Sequence, residues 1–142
     1  PVDPLALVSD ELIEMSDWEL HDFAISVVKK RLIEEGKNVY STCSDMEANP
    51  QLWFEENDLD YWVVIRGFRH PTESDRRPED LDLIAEGVQK ENSAGYYALV
   101  TVANSDDPFD PEAADNGNFL PLYRGHSMTI KYTGIQPIAR VH

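Results

Sequence analysis

Pro50-Gln51-Leu52-Trp53-Phe54-Glu55-Glu56-Asn57-Asp58-Leu59-Asp60-Tyr61-Trp62-Val63-Val64-Ile65-Arg66-Gly67-Phe68-Arg69-His70-Pro71 is the stretch whose reading decides the fold. It divides into a strand at 52–54, a polar reversal at 55–60 and a second strand at 61–68. Val63, Val64 and Ile65 stand in a row behind two aromatics. A continuous β-branched run suits a strand covered on both faces, so this strand is expected in the middle of a sheet.

Working outward, Ser16-Asp17-Trp18-Glu19 has the form of a capping box, with Ser16 as cap and Glu19 reaching back. Leu20, Phe23, Ala24, Val27, Val28 and Leu32 follow at helical spacing, and Gly36 is a natural stop. Acids open this helix and Lys29, Lys30 and Arg31 lie towards its end, as the helix dipole favours. Asp3-Pro4 can start a short helix before it. Residues 38–44 read as a strand. After the hairpin comes a polar loop at 70–77. A helix is expected from Pro78, with Leu81, Ile84, Ala85 and Val88 on one face, ending at 92–95. Residues 96–103 form another central strand. Weaker strands are expected at 120–123, 128–132 and 135–139.

The fold class is therefore α/β (α+β): a mixed sheet with flanking helices, in the order α-β-β-β-α-β with a β-rich tail. A helix between the third and fourth strands implies a parallel crossover. One domain is expected over 1–142, with its core at 16–103, an acidic loop at 104–118 and the tail at 119–142.

Twelve basic against 27 acidic residues give a net charge of −15. Such a charge repels phosphate backbones and argues against generic nucleic-acid binding. One cysteine, Cys43, excludes an internal disulfide and a cysteine-based zinc cluster. No apolar run reaches membrane-spanning length. Without a signal peptide, the cytoplasm is the expected compartment.

The element order over 16–103 resembles the core of the restriction-endonuclease-like superfamily, the PD-(D/E)xK nucleases, and within it the Mrr-like branch. Residues 24–36 look like its first helix and 38–44 its first strand. Pro50-Gln51 looks like its Pro-Asp position, and Val64-Ile65-Arg66 like its (D/E)-x-K position. The resemblance implies a hairpin on which two carboxylates hold Mg²⁺ and a lysine activates water. Here those positions carry Gln51, Val64 and Arg66. An amide and a valine cannot replace two carboxylates, and arginine is no base near neutral pH. A lost catalytic centre is the expectation, with no metal and no cofactor. Relocated carboxylates among Asp22, Asp45, Glu47, Glu55 and Glu56 are the alternative, weighed against plain solvated acids.

Arg66, Arg69 and His70, with Arg124 and His126, offer a small anion pocket; the competing reading pairs these arginines with surplus acids. Asp106, Asp107, Asp110, Glu112 and Asp115 offer oxygens for Ca²⁺, but without EF-hand spacing. Cys43 reads as a small buried thiol, and His21 as lying on the helix flank. Trp18, Trp53, Trp62, Tyr61, Tyr96 and Tyr97 read mostly as core or sheet-face residues. The function expected from all this is a non-catalytic protein-interaction domain. Its partner would present a basic surface, as for an immunity protein, an antitoxin or a DNA mimic. A free edge in the tail would permit a homodimer.

Overall fold

The computed structural model describes residues 13–70, 78–88, 93–105, 121–125 and 127–138. The expected helix at 3–12, the acidic residues from Asp106 to Asp115, Arg76, Arg77, His126 and His142 lie outside the described residues. Among the described residues are two helices and six strands: α1 (Asp17–Glu34), β1 (Asn38–Thr42), β2 (Leu52–Glu56), β3 (Leu59–Arg69), α2 (Leu81–Gly87), β4 (Ser93–Asn104), β5 (Met128–Tyr132) and β6 (Gln136–Pro137). They build one α/β domain around a mixed sheet ordered β1-β2-β3-β4-β5, with β6 also on β4. β3 runs antiparallel to β2 and parallel to β4. The expected hairpin, crossover and central strand are all present. No helix among the described residues is long and apolar enough to cross a membrane.

The uninterrupted apolar run of β3 is explained by its two neighbours. Val63 and Ile65 pack with Leu20, Ala24, Ile25, Val28 and Leu32 of α1. Trp62 and Val64 point the other way, into a smaller core with Leu81 of α2. Each buried aliphatic side chain contributes roughly 1.5–3 kcal/mol, so the larger core under α1 dominates the stability. The capping box forms as read: the Ser16 and Glu19 backbone N–H groups donate to the Glu19 and Ser16 side chains.

Several expectations are corrected. The reversal of the hairpin is only Asn57-Asp58, both at positive φ (55° and 63°), so the strands run further into the polar segment than composition suggests. Asn and Asp tolerate this left-handed geometry, which suits a two-residue hairpin. β1 ends at Thr42, and Cys43 is exposed rather than buried because it lies beyond an edge strand. α2 starts at Leu81, three residues after Pro78, and β4 starts at Ser93 rather than at Tyr96. Gly95 belongs to that strand because the Trp62 ring lies against it: a Cβ at Gly95 would sit 2.2 Å from the ring. Tyr123 pairs with Glu14 in an isolated bridge instead of extending the main sheet. Trp18 is half exposed, unlike the other five aromatics named above.

Candidate functional site

The candidate site lies where β2 ends beside β3. Leu52 pairs with Val63, and the Gln51 N–H also donates to the Val63 carbonyl at 3.1 Å. Two residues of one strand thus oppose one of the other, the mark of a bulge. Pro50 has no N–H and cannot continue the ladder. The Gln51 side chain takes over. Its Oε1 accepts from the Ile65 N–H at 2.8 Å, and its Nε2 donates to the Ala48 carbonyl and to Asn49 Oδ1, both at 2.7 Å. An amide can accept on one side and donate on the other, whereas a carboxylate can only accept. At this position the chemistry favours glutamine as a brace.

Val64 is fully buried in the core under α2. Arg66, two residues on, reaches the same side of the sheet. Its Nη1 donates to Asn49 Oδ1 at 3.0 Å and to the Ile65 carbonyl at 3.2 Å, and its Nη2 donates to Asp80 at 2.9 Å. Asn49 Oδ1 therefore joins Gln51 to Arg66, and Asp80, the cap position of α2, closes the chain. Of the three positions singled out in the sequence, Gln51 and Arg66 are joined in one hydrogen-bonded network through Asn49, while Val64 stays apart from it in the core.

Arg69 points towards α1, where it donates to Asp17 at 2.6 Å and to the Met15 carbonyl at 2.8 Å. Arg66 and Arg69 both line an open cleft of about 480 Å³ between α1, the 45–49 loop and β3, together with His21, Glu47 and Gly67. His70 does not join them among the described lining residues; it is buried one residue beyond β3, its N–H donating to the Val102 carbonyl. Arg124 is held elsewhere, donating three hydrogen bonds to the Glu19 carboxylate at 2.7–2.9 Å. Those bonds, with the capping contacts of Ser16, hold the Glu19 carboxyl well down, at about 2.

His21, read from the sequence as lying on the helix flank, is buried by the fold. It is only 8% exposed, and its Nε2 has no hydrogen-bond partner among the described residues. Burial, and then the positive charge of Arg66, lower its pKa, against a smaller opposing pull from Asp22 and Asp45. The available signal was spacing: His21, Ala24, Ile25, Val28 and Leu32 follow the buried period of α1. Asn49 and Asp80 had no such signal, because only the tertiary fold carries them to Arg66.

The acids named as relocated ligands do not converge on one point. Asp22 accepts from Ser44 Oγ at 2.6 Å, and Asp45 from the Glu47 N–H at 2.9 Å. Glu55 and Glu56 stand at the far end of the hairpin, where Glu56 pairs with Lys37. Among the described residues, no group of three His, Cys, Asp or Glu side chains is placed to hold a metal.

Fold and site together define an α/β domain with a braced strand edge. The chain belongs to the family described as a domain of unknown function, DUF8840, whose model matches residues 18–138. No curated protein and no solved structure matches it.

Proposed function

We propose that this chain is a non-catalytic interaction domain on a nuclease-like scaffold, and that its partner is a protein with a basic surface. The observation that carries this reading is the Gln51–Asn49–Arg66–Asp80 network. A nuclease centre needs two carboxylates converging on one metal ion. Here an amide spends its acceptor and its donors on the backbone and Asn49, a valine fills the core, and an arginine is held by an aspartate. The net charge of −15 supports a basic partner, since complementary fields speed encounter and suppress wrong pairings.

Two experiments test it. Titration of fluorescent duplex DNA, with and without Mn²⁺, is expected to give neither binding nor cleavage; metal-dependent cleavage would transfer the function to relocated carboxylates. Co-purification is expected to recover a specific basic partner whose retention falls with salt. A chain that stays monomeric and recovers none overturns the reading. A second reading, a small-anion site, draws support from Arg66 and Arg69 lining one cleft. It requires a ligand to compete with Asp80 and Asp17, both on exposed ion pairs of low cost to break. Thermal shifts with phosphates and carboxylates beyond a chloride control would favour it.

A further inference from the structure

Among the described residues, the edge of β3 beyond β2 has no strand partner where Gly67 lines the cleft. Along this strand the odd-numbered residues turn their backbone groups towards β2: the Val63 carbonyl accepts from Gln51 N–H, and the Ile65 N–H donates to the Gln51 side chain. On the far side, the His70 N–H donates to Val102. Backbone groups alternate along a strand, so those of Gly67 and Arg69 face the side that β2 has already left. Among the described residues, Gly67 pairs only with Val100 of β4, and the register with β2 stops at Val63. Gly67 is also where α1 presses on the sheet: a Cβ there would lie 3.1 Å from Ala24 Cβ. The absent side chain lets α1 close over the strand and places Leu20 and His21 in the cleft wall.

We propose that this cleft receives an extended basic segment of the partner protein, which adds a short strand to the free edge of β3 at Gly67. The inference rests on the partner reading above and gives it a site. An unpaired strand edge is a template for another chain. Its groups at Gly67 and Arg69 recur about 7 Å apart, the repeat of an extended polypeptide. The charges agree. Both arginines of the wall are matched by acids, while Glu47 is exposed and the Asp17 and Asp80 side chains are 78% and 48% exposed. Lysines or arginines on the incoming chain meet these carboxylates. The buried Nε2 of His21, in the same wall, lacks a partner among the described residues and gains one from the entering chain. The volume of about 480 Å³ lies within the ordinary range of binding clefts.

The test uses two acetylated, amidated hexapeptide libraries randomised at alternate positions, one with Lys fixed between them and one with Glu. Binding is read by fluorescence polarisation and by hydrogen exchange of the Gly67 amide. The Lys library is expected to bind and to slow Gly67 exchange at least tenfold. Met46→Trp, which enlarges an exposed side chain lining the cleft, and Glu47→Lys should each weaken binding at least tenfold, with Glu55→Lys at the far end of the hairpin unchanged. Unaltered melting of each variant guards against misfolding. Lys-library binding that ignores Met46→Trp and Glu47→Lys but is lost in Glu55→Lys overturns the site and leaves the basic-partner reading standing. Binding of neither library overturns the site, while co-purification still decides the partner. Preference for the Glu library overturns both and favours the anion reading.

Discussion

At Gln51 one side chain replaces a missing stretch of β ladder. Its three hydrogen bonds need both an acceptor and donors. Gln51→Ala strands the buried Ile65 N–H, which costs about 1–3 kcal/mol. Gln51→Glu keeps an acceptor for Ile65 but sets a carboxylate against the Ala48 carbonyl and Asn49 Oδ1. We expect it to destabilise by a similar amount or more, and to recover part of the loss at low pH, where protonation restores a donor. Urea unfolding of the three proteins at pH 7 and pH 4 checks this. A Gln51→Glu protein as stable as wild type at pH 7 would show that the brace does not matter. The sequence displayed Gln51 in a motif-like place, but its role depends on Ala48, Asn49 and Ile65 converging, which no local pattern encodes.

At the scale of elements, the hairpin shows how local chemistry and the sheet divide the work. Composition alone makes residues 55–60 look like a loop. Pairing of Glu56 with Leu59 leaves only Asn57 and Asp58 outside the ladder. Both take positive φ, which costs an L-residue more than glycine. Asp58→Gly should therefore raise stability by about 0.5–1 kcal/mol, read as an upward shift in the urea midpoint with unchanged slope. A loss of stability would mean that the Asp58 side chain contributes more than its backbone costs. The capping box of α1, by contrast, was legible from four residues, because its bonds are local. β4 was not legible at its start: Ser93, Ala94 and Gly95 look like a helix stop until Trp62 lies across them.

Across the whole molecule, acid should act in two windows. His21 has its pKa lowered by burial and by Arg66 while Asp22 and Asp45 oppose, so the unfolded chain binds the proton more readily. Its neutral form contributes stability that is complete above the ordinary value near 6.5 and is lost as pH falls through the lower folded value. His21→Phe should lose that slope, so the gap between the two proteins changes between pH 7 and 5. Glu19 behaves in the same sense further down: its carboxylate contributes above 4.5 and stops contributing as pH falls through about 2. Glu19→Gln and wild type should differ by a constant amount near neutrality and converge towards pH 2. Guanidinium unfolding at half-unit pH steps measures both, and parallel curves throughout would refute the two assignments. The effect at Glu19 is reduced by solvent screening, because the pair with Arg124 is exposed.

The sequence by itself determined the class of fold: a doubly covered strand, a capped amphipathic helix, an antiparallel hairpin and a parallel crossover. These follow from periodicity and local hydrogen bonding, which act between residues near in the chain. It also determined that Gln51 and Val64 are not carboxylates, since that is a matter of residue identity. Tertiary structure alone decided what stands there instead. Asp80 reaches Arg66 across 14 residues, Arg69 reaches Asp17 across 52, and Arg124 reaches Glu19 across 105. It also decided that His21 is buried and that the edge of β3 opens into a cleft. Such juxtapositions depend on how the helices and the 45–49 loop pack against the sheet, and packing brings together side chains whose separation along the chain carries no pattern.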